Sequence, residues 1–140
     1  MHRQDRNTLA LTILRVTLAT LIAIHGWHRF LSGDVADFGH GLDHRGYPFG
    51  MLLAWTITGL EMIGAVVFAL GRCVFPLSVV YIFLYGTAIL IYHLPHGWFS
   101  SGTDVDGCEY AVLLVAGFVC TALSHAPTLG MLRTGATRHP

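Results

Sequence analysis

The sequence contains four apolar segments, each close to the length that a helix needs to cross a lipid bilayer. They cover residues 8–30, 51–70, 74–92 and 109–123. A bilayer core about 30 Å thick requires roughly 20 apolar residues per helix. Charged residues make up only 11% of the chain, against about 25% in an average soluble domain. The sequence therefore predicts an all-α integral membrane protein, a four-helix bundle in which residues 1–140 form a single domain.

The connections between the apolar segments differ in length and composition. Only Gly71, Arg72 and Cys73 separate the second segment from the third, which predicts a tight hairpin because Gly readily ends a helix. Residues 31–50 and 93–108 are rich in Gly, Pro, Asp and His and are predicted to be loops, and residues 124–140 to be a tail. The three cysteines stand far apart with no Cys-x-x-Cys, so a dithiol redox motif is not supported.

Arginines are unevenly distributed between the two ends of the predicted bundle. One end carries Arg3, Arg6, Arg72, Arg133 and Arg138, and the other carries Arg29 and Arg45. Short loops rich in arginine stay in the cytoplasm, so both termini are predicted to be cytoplasmic. Eight basic and eight acidic residues balance, which argues against the strong positive charge of a nucleic-acid-binding protein.

Two ionisable side chains, Arg15 and Glu61, fall inside the predicted membrane spans. At 1.5 Å per residue they lie about 10 Å and about 13 Å from the cytoplasmic ends of their spans. An isolated charge at mid-membrane costs at least about 2.5 kcal/mol, so we expect Arg15 and Glu61 to form an ion pair facing the bundle interior. Such a pair could be a proton or ligand site, or could serve only to fix the register of the two helices.

Six of the nine histidines lie at the predicted outer end: His25, His28, His40, His44, His93 and His96. Their imidazoles could bind a haem or a metal, exchange protons with a quinone carbonyl, or sit at headgroup level as amphipathic side chains commonly do. Pro95 breaks the helix between His93 and His96, so no metal site is assigned. Glu109 opens the fourth span, where it could cap the helix or hydrogen-bond to His25 or His93.

Short motifs occur in order along the chain: Leu14-Arg15; His25-Gly26 followed by Arg29; Gly59-Leu60-Glu61 followed by Gly64; Leu70-Gly71-Arg72; His93 followed by Gly97-Trp98-Phe99; and Gly107 followed by Glu109-Tyr110-Ala111. In order and spacing, over about residues 9–123, this series resembles the DoxX family of small bacterial four-helix membrane proteins. The resemblance implies a multi-pass protein of the bacterial cytoplasmic membrane and, as in some relatives, a part in a quinone-linked redox system.

The resemblance and the residues together predict a membrane subunit of a quinone-linked oxidoreductase, with a pocket near the outer face. Its expected catalytic residues are His25, His93 and Glu109, and its expected quinone-binding residues are His25, His93, Trp98 and Tyr110. The expected partners are membrane lipid and other membrane or redox protein subunits. The alternative is a non-catalytic accessory subunit that holds a larger membrane complex together, and a haem or a metal also stays open as a cofactor.

Overall fold

Five helices make up most of the chain that the computed structural model describes, namely residues 3–99 and 107–127. We number them α1 (Arg3–Ser32), α2 (Val35–His44), α3 (Gly50–Ala69), α4 (Val74–His96) and α5 (Glu109–Ser124). No strand occurs in these two ranges. The prediction of an all-helical chain is confirmed, and α1, α3, α4 and α5 correspond to the four predicted apolar segments.

Three of the helices, α1, α3 and α4, are long and apolar enough to cross a membrane. Helix α5 is also apolar but has 16 residues, which gives about 24 Å of helix at 1.5 Å per residue. Large apolar side chains such as Phe83 on α4 and Leu113 and Leu123 on α5 are mostly exposed. Extended apolar surface of this kind is typical of contact with lipid or with another protein.

Two of the long helices contain a widened, π-helical turn. In α3 it covers Leu60–Gly64, and in α4 it covers Ile89–His93 and is followed by a 3₁₀ turn at Leu94–His96. The π turns are rare and occur frequently at functional sites. The first contains the buried Glu61, and the second brings two ring side chains, Tyr92 and His93, to the same end of the molecule.

The prediction that residues 31–50 form a loop is wrong, because α2 occupies half of that stretch. Its apolar residues Val35, Phe38 and Leu42 follow helical spacing and pack together with Ala54 of α3. Gly39, on the same helix, lets the backbone of α3 approach: a Cβ there would meet the Cα of Met51 at 3.0 Å. Burial of this face outweighs the low helix propensity of its glycines.

The core is a group of aromatic rings contributed by three helices. Phe68 of α3, Tyr81 of α4 and Phe118 of α5 are fully buried, with centroid separations of 5.0 to 5.9 Å. Leu18 and Ile22 of α1 complete the cluster. Edge-to-face and tilted packing of this kind stabilises beyond the area that it buries, so these rings hold α1, α3, α4 and α5 around one centre.

The predicted hairpin between the second and third apolar segments is confirmed. Helix α3 ends before Gly71, which has a φ of 75°, and α4 begins at Val74 after Cys73, which has a φ of 51°. The predicted connection 93–108 includes residues 100–106, and the predicted tail includes residues 128–140. Both of these stretches lie outside the described residues.

Helices α1 and α3 approach most closely where Gly26 faces Glu61. A Cβ on Gly26 would lie 2.7 Å from the Cβ of Glu61 and 3.2 Å from its carbonyl carbon. Small residues allow this kind of backbone contact between membrane helices. The contact also sets the antiparallel register of the two helices.

We predict that Gly26→Ala destabilises the protein by about 1–3 kcal/mol, because the added methyl group overpacks the contact with α3. The matched control is Gly59→Ala, since a Cβ at Gly59 meets nothing within 4 Å. That control should be neutral or stabilising by up to about 1 kcal/mol, the usual gain in helix propensity. Unfolding of both variants in the same detergent measures the difference, and equal stability of the two would contradict the register described here.

Candidate functional site

A buried carboxylate lies at the centre of the site. Glu61 is 2% exposed and accepts hydrogen bonds at both of its oxygens. Arg29 Nη1 of α1 donates to Oε2 at 2.7 Å, and the Tyr85 hydroxyl of α4 donates to Oε1 at 2.9 Å. Arg29 Nη1 also lies 3.3 Å from the hydroxyl of Thr58. One carboxylate thereby connects α1, α3 and α4.

The prediction of an ion pair between Arg15 and Glu61 is wrong, since Glu61 pairs with Arg29. The register of α1 and α3 is the physical reason. With Gly26 opposite Glu61, Arg29 lies one turn further along the same face, within reach of the carboxylate. Arg15 lies at the other end, where its guanidinium packs 3.2 Å from the position of a Cβ on Gly71. The depth of Arg15 in the membrane, which was estimated from the predicted end of its span, was therefore too large.

Side chains of α4 support the π turn that carries Glu61. The Tyr81 hydroxyl donates to the carbonyl of Leu60, the first residue of the turn, at 2.9 Å. Gly64, the last residue of the turn, leaves room for that hydroxyl, because a Cβ there would lie 2.6 Å from it. The irregular backbone is thus held by specific contacts on both sides of Glu61.

A cavity of about 510 Å³ opens above Glu61, between α1, α3 and α4 and beneath α2. Its described lining residues are His25, Arg29, Phe38, Arg45, Ile57, Glu61, Leu84, Tyr85, Ala88, Tyr92, His93 and His96. A mainly apolar pocket with a few polar groups directed into it is the usual form of a small-molecule site. Both π turns contribute to this lining.

Two arginines stacked on aromatic rings attach α2 to the long helices. The Arg29 guanidinium of α1 lies 4.4 Å from the ring centroid of Phe38 in α2. Arg45, the residue after α2, lies 4.1 Å from the ring centroid of Tyr92 in α4. Cation–π contacts of this kind stabilise most when they are shielded from water. Together these two contacts hold α2 over the cavity.

Tyr92 lines the cavity and carries an unsatisfied polar atom. Its hydroxyl is buried and has no hydrogen-bond partner among the described residues. It lies under α2, 3.9 Å from the position of a Cβ on Gly41. The Tyr92 carbonyl is within 2.6 Å of His96 Nδ1, which orients that imidazole. A buried hydroxyl without a partner is costly, and the described residues supply none for it.

The structure brings some of the predicted site residues together and leaves others apart. His25 and His93 line the large cavity and also a smaller one of about 70 Å³, which Tyr110 lines as well. Trp98 is exposed, and its carbonyl accepts a hydrogen bond from the backbone N–H of Glu109. Neither Trp98 nor Glu109 is among the described residues that line the two cavities.

Sequence reasoning missed several residues of this site. The sequence did contain an indication that Arg29 belongs to the site, since Arg29 lies four positions after His25 and therefore on the same helical face. Tyr85 and Tyr92 are seven positions apart on α4, which also places them on one face. The contribution of α2 to the cavity lining was not predicted, because the glycines of this segment indicated a loop.

Within the described parts of the chain, no three His, Cys, Asp or Glu side chains come together as a group that could hold a metal ion. Of the six histidines at this end, His25, His93 and His96 line the large cavity. His28, His40 and His44 are exposed and are not among its described lining residues.

Comparison with known proteins identifies one family. The DoxX family model matches residues 10–94, which is more than half of the 140 residues. That range runs from α1 through most of α4 and includes every described residue that lines the large cavity except His96. No curated protein and no solved structure matches the chain.

We predict that neutralising one member of the buried ion pair is more harmful than neutralising both. Glu61→Gln or Arg29→Met alone should destabilise the protein by about 3–5 kcal/mol, because each leaves a buried charge without its partner. The double variant should be less destabilised than either single variant, because it leaves no buried charge without its partner. Denaturant unfolding in detergent of all four forms measures this coupling, and strictly additive effects would show that the pair does not act as a unit.

Proposed function

Because the chain belongs to the DoxX family, we propose that it is a membrane subunit of a quinone-linked redox system, with the quinone headgroup bound in the cavity beneath α2. The observation that carries the proposal is the lining of that cavity by Tyr92, whose buried hydroxyl has no hydrogen-bond partner among the described residues. A quinone carbonyl accepts hydrogen bonds and is attached to an apolar ring. This chemistry matches a mainly apolar pocket that offers a few donors.

The size and lining of the cavity fit such a ligand. Its volume of about 510 Å³ lies within the range of roughly 300–1,000 Å³ typical of ligand pockets. Leu84, Ala88 and Ile57 supply apolar contacts, and Tyr92 supplies a donor. The imidazoles of His25 and His93 line the same space and can donate to a second oxygen.

The proposal assigns different roles to the polar residues. A quinone, when bound, would supply a redox couple that takes up two electrons and two protons. A partner redox protein would exchange the electrons with it. His25 and His93 hold and release protons at their ring nitrogens, which can act as either donor or acceptor. The Tyr92 hydroxyl orients a ligand oxygen. Glu61 has both oxygens engaged by Arg29 and Tyr85, so it positions Arg29 and Tyr85 at the cavity floor.

The remaining predicted residues have more distant roles in this proposal. Tyr110 lines the small cavity that shares His25, His93 and Tyr85 with the large one, so it contacts the site through His25 and His93. Glu109 begins α5, where its carboxylate is favourably placed at a helix N-terminus. Trp98 is exposed and suits the interfacial level of a membrane.

We further propose that α1, α3, α4 and α5 span the cytoplasmic membrane of a bacterium, with both termini in the cytoplasm. Arg3 and Arg6 of α1 and Arg72 of the hairpin support this orientation under the positive-inside rule. The cavity then opens toward the outer face.

We predict saturable binding of a ubiquinone analogue to the purified protein in detergent. Tyr92→Phe should weaken binding about two- to tenfold, because it removes one hydrogen bond and keeps the ring beneath Arg45. The matched control is His44→Ala, an exposed residue of α2 outside the described cavity lining, which should bind as the wild type does. Quenching of tryptophan fluorescence or calorimetry measures both affinities. Absence of saturable binding would contradict the proposal, and a stoichiometric partner in native membranes would then favour the accessory subunit.

The proposed orientation predicts which residues a membrane-impermeant maleimide reaches in intact cells. Cys73 is exposed in the hairpin and Cys108 is buried, so a Cys120→Ser background leaves Cys73 as the accessible thiol among these positions. It should react only after the cells are permeabilised. With Cys73 also replaced by Ser, a His40→Cys substitution on the exposed face of α2 should react without permeabilisation. The reverse pattern would overturn the orientation.

A further inference from the structure

Arg15 is a charged residue of α1 that the proposed function leaves unexplained. Its Nε atom is buried without a hydrogen-bond partner in the described part of the chain. Its guanidinium packs against the backbone of Gly71, in the hairpin between α3 and α4. A charged group in or near hydrocarbon is costly unless something of opposite charge compensates it.

No acidic side chain that the structure describes is placed to compensate Arg15. Among the eight acidic residues of the sequence, only Asp5 precedes Asp34, and none occurs after Glu109. Asp5 lies ten positions before Arg15, about 15 Å along α1. Glu61 forms its ion pair with Arg29, and no ion pair joins Arg15 or Arg72 to a described carboxylate. The residues beyond 127, which the structure does not describe, contain no Asp or Glu.

The hairpin contains a second arginine next to the residue on which Arg15 packs. Arg72 follows Gly71 directly and is exposed. Arg15 packs on Gly71, which has a φ of 75°. A Cβ at Gly71 would lie 3.2 Å from the guanidinium of Arg15. Arg15 can therefore lie flat against the turn, next to the residue that bears the second guanidinium. Planar guanidinium groups match the oxygens of a phosphate with paired hydrogen bonds.

We propose that Arg15 and Arg72 bind the phosphate of an anionic phospholipid at the hairpin between α3 and α4. A three-residue connection between two membrane-spanning segments lies at the membrane surface, where lipid phosphates are concentrated. Arginines near helix ends extend toward that level. The lipid phosphate supplies the negative charge that no described carboxylate provides to Arg15. The inference depends on the proposed membrane placement and is independent of quinone binding.

The test measures the thermal unfolding of the full chain in a nonionic detergent as phosphatidylglycerol is added. We expect saturable stabilisation by phosphatidylglycerol and little by zwitterionic phosphatidylcholine. Arg15→Gln should weaken the apparent affinity at least tenfold, the loss expected for a charge-assisted contact. Arg72→Gln should weaken it about fivefold. Because Arg72 is exposed, that variant tests the proposal even where Arg15→Gln does not fold.

Two further arms distinguish a specific lipid site from diffuse charge attraction and from a site for free phosphate. Arg6→Gln removes a charge from the same helix, nine positions before Arg15, and should bind as the wild type does. An equal loss for Arg6→Gln would mean diffuse attraction and would overturn the site. Inorganic phosphate should neither stabilise the protein nor compete with the lipid. Stabilisation by phosphate alone would overturn a lipid as the occupant, and binding of neither probe would overturn the proposal altogether.

Discussion

The ion pair between Glu61 and Arg29 is the interaction on which the arrangement of the helices depends. A carboxylate that is 2% exposed in an apolar protein is tolerated only with a close counter-charge and with hydrogen bonds to its remaining lone pairs. Arg29 supplies the charge from α1, and Tyr85 supplies a hydroxyl from α4. Because the partners come from different helices, satisfying one carboxylate holds three helices in a single register. The contact of Gly26 with the backbone of Glu61 makes that register possible sterically.

The same network shapes the candidate site above it. The π turns at Leu60–Gly64 and Ile89–His93 both face the cavity, and each departs from the regular hydrogen bonding of an α-helix. Irregular backbone at membrane depth is tolerated where it is buried in protein or lines a cavity. Here Tyr81 satisfies the carbonyl of Leu60. The Tyr92 hydroxyl has no partner among the described residues, and it lies beneath α2, which is attached through two arginine–ring stacks.

The two ends of the molecule differ in how their charges are compensated. At the cavity end, Arg29 and Arg45 are engaged by a carboxylate and by aromatic rings, and histidines line the cavity. At the hairpin end, Arg15 and Arg72 have no described carboxylate partner. Protein groups compensate the charge at one end, and we infer that lipid does so at the other. We therefore propose that the first end binds the quinone and that the second end binds lipid.

The apolar segments by themselves determined the helical class, the approximate bounds of the long helices and the tight turn at Gly71, because these follow from local hydrophobicity and backbone preference. The placement of His25 and His93 near one pocket also followed from their positions at the same end of two helices. Tertiary structure alone decided that Glu61 pairs with Arg29, since partner choice depends on a register set by the fit of Gly26. It also decided that the connection after α1 folds into α2, because only packing against α3 offsets the weak helix propensity of its glycines.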